Sequence, residues 1–138
     1  MSSRARPMKD SASASRERNE WIAALKELTA QAEKWAGEND WWVHLDSKTI
    51  EESMIGSYEA PVLMIRAPAG RLVLDPIARD VVGALGRVDL CAFPSYENAI
   101  IVRTPDGWHF KKTEKPDFDQ AWSKKAFLKM ASDLLATP

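Results

Sequence analysis

The spacing of apolar and polar positions changes along the chain, and each spacing is typical of a different element. Apolar side chains recur every three or four residues from Trp21 to Trp35, which predicts an amphipathic helix. From Trp41 to Ile50 apolar residues alternate with polar ones, which predicts a strand. The ordered part of the chain is therefore expected to begin with a long helix that leads into a sheet.

Two segments further along the chain carry the same short pattern. Residues 65–70 read IRAPAG and residues 102–107 read VRTPDG, and apolar runs flank both copies. A Pro-x-Gly sequence between two apolar runs is typical of a tight turn, because Pro fixes φ and Gly accepts the conformation that closes the loop. The pattern predicts two similar β-hairpins, at residues 62–74 and at residues 99–112.

Helix-start signals follow each predicted hairpin. Asp75 and Pro76 are the residue types favoured at an N-cap and at the first helical position, and Gly86 is suited to end a short helix there. Pro116 and Asp117 predict the start of a last helix in the same way. We therefore expect an α+β fold with long N- and C-terminal helices and a short central helix. Its curved antiparallel sheet would have five to six strands in two similar, hairpin-containing halves.

The two ends of the chain differ in their apolar content. Residues 1–15 are rich in Ser, Ala and Arg and have little apolar bulk, so burial cannot offset the entropy of ordering them. We interpret 1–15 as a flexible tail and 16–138 as a single domain. Whether the tail orders on binding a partner stays open.

The predicted hairpin strands are apolar on both sides. Val62, Met64 and Val73 alternate with Leu63 and Leu72, whereas an antiparallel sheet with one solvated face alternates apolar and polar positions. Both faces should therefore be covered, and the commonest cover is a second copy related by a two-fold axis. The candidate interface residues, taken from the hairpins and from the adjacent pair Trp41-Trp42, are Val62, Met64, Val73, Ile101 and Trp42.

Composition narrows the class of protein. The 138 residues carry a formal net charge of −1, which argues against a dedicated nucleic-acid binder, although lysines near the C-terminus keep that as the weakest alternative. A single cysteine, Cys91, allows no internal disulfide and favours a cytoplasmic location. No apolar run approaches the roughly 18 residues that cross a membrane, so no membrane association is expected.

Two sets of polar residues are candidates for chemistry. His44 and Asp46 share one side of a predicted strand, where they are spaced for acid–base work. Arg66 and Arg103 hold matched places before the two turns, and two guanidinium groups on one rim would bind a carboxylate or a phosphate. The chain has two His and one Cys, and no ligand spacing that predicts a metal site or a cofactor.

These observations favour a non-enzymatic module that binds a protein or a peptide and forms a homodimer. The prediction rests on the sheet with two apolar faces, on the six tryptophans and on a sequence without a catalytic motif. The alternative is a small enzyme or ligand-binding domain with a polar site near His44, Asp46, Arg66 and Arg103. Nothing in the sequence names the partner or the pathway.

Overall fold

The computed structural model describes residues 11–136, in which two helices enclose, in sequence, a seven-stranded antiparallel meander. Each strand pairs with the next one along the chain, and the sheet does not close into a barrel. The elements are α1 (Ser11–Glu38), β1 (Trp42–Glu52), β2 (Gly56–Ala67), β3 (Gly70–Ala78), β4 (Arg87–Phe93), β5 (Asn98–Thr104), β6 (Gly107–Lys112), β7 (Lys115–Ala121) and α2 (Lys124–Ala136).

Both helices pack on one face of the sheet, as their apolar stripes require. The buried side of α1 includes Trp21, Leu25 and Leu28, at the spacing that gives one helical face. The buried side of α2 includes Phe127 and Met130. Between these helices and the sheet lies the core, whose largest fully buried sheet side chains are Leu63, Ile65, Leu72, Leu74, Leu90, Ile101 and Phe110.

The two predicted hairpins are confirmed. Strands β2 and β3 pair across a turn that Ala67 and Gly70 close, and β5 and β6 pair across a turn that Thr104 and Gly107 close. Gly70 and Gly107 have φ values of 154° and 126°, which side-chain-bearing residues rarely adopt. The shared Pro-x-Gly pattern therefore encodes the same local geometry twice.

The short central helix predicted from Asp75 and Pro76 is wrong. Pro76 pairs with Val88 inside the sheet, and the chain from 79 to 86 forms turns. The carboxylate of Glu52 accepts hydrogen bonds from the backbone N–H groups of Arg79 and Asp80, both at 2.9 Å, and holds this segment in a turn. The Asp75 carboxylate, expected to cap a helix, instead pairs with Lys48.

The boundaries of the other elements also differ from the prediction. The segment that follows Pro116 is strand β7, which raises the count to seven, and α2 begins later, where the Ser123 hydroxyl accepts the N–H of Ala126 at 3.1 Å. Proline near the start of an edge strand costs the sheet no interior hydrogen bond. Helix α1 begins at Ser11, so residues 11–15 of the predicted tail are helical, and residues 1–10 lie outside the described part of the chain.

The outer half of the β1–β2 hairpin leaves the main sheet and closes over the start of α1. Strands β2 and β3 pair only up to Leu63 and Leu74, and beyond that point Tyr58 is buried against the helix. The indole N–H of Trp21 donates to the Tyr58 hydroxyl at 2.9 Å, and that hydroxyl donates to Glu52. Burial, together with the Glu52 carboxylate, raises the pKa of Tyr58, which keeps it protonated as a donor.

Substitution of Gly86 is expected to disturb the packing of α1 strongly, because Gly86 lies against Trp21 of that helix. A Cβ at this position would lie 2.2 Å from the Trp21 ring, whereas a Cβ at Gly83, which also has a positive φ, would meet nothing within 4 Å. We expect Gly86→Ala to lower the free energy of unfolding by about 3 kcal/mol, through overpacking added to backbone strain. Gly83→Ala should cost about 1 kcal/mol, from strain alone. Urea unfolding followed by tryptophan fluorescence measures both, and equal losses would contradict the packing described for Trp21.

Candidate functional site

The face of the sheet opposite the helices, here called the open face, carries the candidate site. In a regular antiparallel pairing, directly opposed residues point to the same side, so the register of the strands identifies the members of this face. Its apolar members are Trp42, Met64, Val73, Cys91, Phe93, Ile100 and Val102. Trp42 and Met64 are 56% and 40% exposed, although both are large apolar side chains. The buried residues of α1 and α2 belong to the core on the other side of the sheet, so they do not cover this face.

Four residues form a row across strands β1 to β4, here called the arginine row. Trp42 is directly opposite Arg66, Arg66 is opposite Arg71, and Arg71 is opposite Phe93. Two arginines therefore occupy adjacent strands between two aromatic residues, at the end of the sheet where the β2–β3 turn lies. No other row of the sheet has this composition within residues 11–136.

A shallow pocket of about 380 Å³ opens on the arginine row. Met64 and Val73, one row further along the strands, contribute apolar surface to it, and His44 stands at its margin. The pocket thus combines an apolar floor with cationic and aromatic walls, which is the composition of a site that orients a partly apolar ligand through a few polar groups.

The two arginines are not neutralised within the described part of the chain. No carboxylate among residues 11–136 forms an ion pair with Arg66 or Arg71, although eight ion pairs involve other residues of that range. The Arg66 guanidinium lies 5.3 Å from the centre of the Trp42 ring, which stabilises one of the charges through a cation–π contact. Like charges that are directly opposed on a sheet repel each other, so this pair of side chains favours an added anion.

His44 and Asp46 share the open side of β1 but do not form the acid–base pair that their spacing allows. The His44 ring stacks on Trp42, with ring centres 5.9 Å apart and planes within 6°. The Asp46 carboxylate accepts the backbone N–H of Ser47 at 2.8 Å. The structure therefore joins His44 to the arginine row and leaves Asp46 in contact with the backbone of its own strand.

Arg103 does not join Arg66 on one rim, and that part of the prediction is wrong. Arg103 is directly opposite Trp108, whose ring contacts Trp21 of α1, so Arg103 lies on the helix-covered side. It lines a separate depression with Glu20 and other residues of α1. The two copies of the repeat present opposite sides to the helices, because Ile65 faces the core in the first copy and Ile101, not Val102, faces it in the second.

The predicted interface residues divide between the two sides of the sheet. Trp42, Met64 and Val73 lie together on the open face. Ile101 is fully buried in the core beneath the helices, and Val62 is only 8% exposed, so neither presents a surface to a partner. The open-face neighbour of Ile101 is Ile100, and the sequence alone did not separate these two because both are β-branched and apolar.

Arg71 and Phe93 are the site residues that the sequence interpretation missed. The signal for Arg71 was present, because a two-residue turn between Ala67 and Gly70 places Arg66 directly opposite Arg71. Phe93 carried no comparable signal, since its position depends on the register between β3 and β4, which are separated by the turns at 79–86.

The carboxylates of Asp75 and Asp89 on the open face are paired within the chain. Asp75 bonds Lys48 at 2.6 Å, and Asp89 bonds the Arg87 side chain at 2.8 Å and 3.1 Å. Cys91 lies between these pairs and the arginine row, and burial, followed by the Asp89 and Asp75 charges, raises the pKa of its thiol. A thiol held in its protonated form is a weak nucleophile.

The described part of the chain shows neither a metal site nor a membrane-spanning helix. Within residues 11–136 no three His, Cys, Asp or Glu side chains are grouped closely enough to hold a metal ion. Neither α1 nor α2 has a stretch that is long and apolar enough to span a membrane. Comparison with protein-family models, with curated proteins and with solved structures found no match.

The reactivity of Cys91 provides a test of this electrostatic description. Its pKa is raised, so we expect alkylation by iodoacetamide to be slower than that of free cysteine at pH 8, and the rate to rise with a midpoint at higher pH than for free cysteine. The measurement is the alkylation rate of the native protein as a function of pH. A midpoint at or below that of free cysteine would contradict the description and would reopen Cys91 as a nucleophile.

Proposed function

We propose that the protein is a non-enzymatic protein-binding module and that its open face is the binding surface, covered in a homodimer by a second copy of the chain. The observation that carries the proposal is the exposure of Trp42 and Met64, at 56% and 40%, beside the half-buried Val73, Cys91 and Ile100 on a face that no described element covers. Contiguous exposed apolar surface of this kind marks interaction sites in soluble proteins.

The dimensions of the open face suit a sheet-on-sheet contact. Seven strands spaced about 4.8 Å apart span roughly 29 Å, and seven residues of strand such as β4 extend about 23 Å. The flat area of such a face is roughly 670 Å², which approaches the accessible surface of about 800 Å² that a standard interface buries on each partner. Two sheets pack face to face about 10 Å apart, with their apolar side chains interdigitated.

The charges on the open face support this use. Asp75 and Asp89 are already paired with Lys48 and Arg87, so the centre of the face has little net charge to repel an identical copy. A two-fold axis needs a surface that is complementary to itself, and a nearly neutral apolar centre meets that requirement. The uncompensated charges of the arginine row lie at one end of the face, away from this centre.

The titratable groups of the open face support binding rather than catalysis. His44 is stacked on Trp42, and the Cys91 thiol has a raised pKa. The second histidine, His109, bonds Asp119 at 3.0 Å across β6 and β7, at the far edge of the sheet from the arginine row. The Cys91 thiol on β4 and the two histidines on β1 and β6 stand on separate strands, whereas nucleophilic catalysis needs a nucleophile within hydrogen-bonding distance of its base.

A single charge on the exposed apolar part of the open face, at Met64, tests the proposal. We expect the wild-type chain to sediment as a dimer at micromolar concentration, and Met64→Asp to weaken association about 100-fold, because a carboxylate buried in the contact loses its hydration. Val82→Asp is the matched control, since Val82 is fully exposed in the turn segment 79–86.

Sedimentation velocity over a concentration series, with thermal melting as a check of folding, provides the measurement. The control should dimerise as the wild type does, and both variants should melt cooperatively near the wild-type temperature. A wild-type chain that stays monomeric over the micromolar range, or association that Met64→Asp leaves unchanged, would refute the proposal.

A further inference from the structure

We propose that the pocket on the arginine row binds a small anion, a carboxylate or a phosphate, that is attached to a planar apolar ring. This inference goes beyond the proposed function, because it concerns one end of the open face and a ligand other than a second copy. It rests on the geometry of four side chains, Trp42, Arg66, Arg71 and Phe93, and on the pocket that they share.

The charge of the ligand follows from the two arginines. Arg66 and Arg71 are exposed, directly opposed on neighbouring strands, and without a carboxylate partner in the part of the chain that the structure describes. Each guanidinium group presents parallel N–H donors that match the oxygens of a carboxylate or a phosphate. An anion between them converts a repulsive pair into two charge-assisted contacts.

The shape of the ligand follows from the aromatic and apolar walls. Trp42 and Phe93 stand at the two ends of the row, and Met64 and Val73 provide apolar surface beside it. The Trp42 ring contacts the His44 ring and the Arg66 guanidinium, which restrict its rotation, so it forms a fixed wall of the pocket. A flat apolar ligand packs against the Phe93 ring and the Met64 and Val73 side chains with little loss of conformational freedom.

The size of the pocket limits the ligand to a small molecule or to a single side group. Its volume of about 380 Å³ falls within the range of small-molecule sites, which is roughly 300–1,000 Å³, and near the lower end of it. One fused two-ring system with an attached anionic group fits within such a space. A folded protein surface would meet this pocket only through a protruding group of the same chemistry.

Four probes of defined chemistry test the inference on the full-length chain. 2-Naphthoate and 2-naphthyl phosphate share a two-ring system and differ in the anion, 2-naphthamide keeps the shape without the charge, and inorganic phosphate keeps the charge without the ring. Isothermal titration calorimetry should show saturable binding of at least one ring-bearing anion at submillimolar concentration. We expect 2-naphthamide and inorganic phosphate each to bind at least 10-fold more weakly.

The two anions distinguish the source of the charge. Binding of 2-naphthoate alone would identify a carboxylate ligand, and binding of 2-naphthyl phosphate alone would identify a phosphate ligand. Binding of both would show that the site recognises an anionic group on a planar ring, whichever anion it is. Any of these three outcomes supports the site. Failure of both anions to bind up to millimolar concentration, or equal affinity for 2-naphthamide, would overturn it.

The repeat within the chain supplies a matched control. Arg66→Gln/Arg71→Gln should weaken binding of the ring-bearing anion at least 10-fold, whereas Arg103→Gln should leave the affinity unchanged, because Arg103 occupies the corresponding turn position on the other side of the sheet. Arg66→Lys/Arg71→Lys keeps the charge and loses the paired donors, so an intermediate affinity is expected. An Arg103→Gln loss as large as that of the double variant, or no loss in the double variant, would overturn the inference.

These titrations and the association test can fail separately. The association test depends on a charge placed at Met64, beside the arginine row, whereas the titrations depend on the Arg66 and Arg71 side chains themselves. A monomeric chain that binds 2-naphthoate with the expected dependence on the arginines would refute the homodimer and support the pocket. A dimer that binds neither ring-bearing anion would support the homodimer and refute the pocket.

Discussion

The register of the antiparallel strands is the constraint on which the functional surfaces of this molecule depend. It places Trp42, Arg66, Arg71 and Phe93 in one row, and it separates that row from the helices by the thickness of the sheet. A shift of one residue in any of these pairings would exchange the two sides, because neighbouring residues of a strand point in opposite directions. The buried helix stripes stabilise this register, since only one set of sheet residues can fill the core against them.

The network around Glu52 joins distant parts of the chain and maintains the sheet. Its carboxylate accepts hydrogen bonds from the Tyr58 hydroxyl and from two backbone N–H groups of the segment after β3. The Tyr58 hydroxyl in turn accepts a hydrogen bond from the indole N–H of Trp21. Helix α1, the outer β1–β2 hairpin and the turns before β4 are thus joined through one partly buried group of polar contacts. Its Trp21–Tyr58 bond is buried, and breaking such a bond leaves an unpaired polar group, which costs more than the bond itself contributes.

Local signals in the sequence predicted local structure well, and failed where distant residues intervene. The hairpins at Gly70 and Gly107 follow from turn chemistry within six residues. The helix predicted at Pro76 does not form, because this segment pairs with β4 and the Glu52 carboxylate, far away in sequence, accepts the Arg79 and Asp80 N–H groups that a helix would have bonded to its own carbonyls. The repeat placed Arg66 and Arg103 in matched turns, but which side each one faces depends on the register of every strand between them.

The central claim is that a second copy of the chain covers the open face, and the Met64 methyl group reports on it directly. Met64 is 40% exposed in the single chain, whereas Met130 is 7% exposed in the core and serves as an internal reference. The measurement is the relaxation of the methionine methyl signals by a neutral, water-soluble gadolinium agent at increasing protein concentration. We expect the effect on Met64 to fall towards that on Met130 as the chain associates. A Met64 signal that stays strongly relaxed at the highest concentration would contradict the claim.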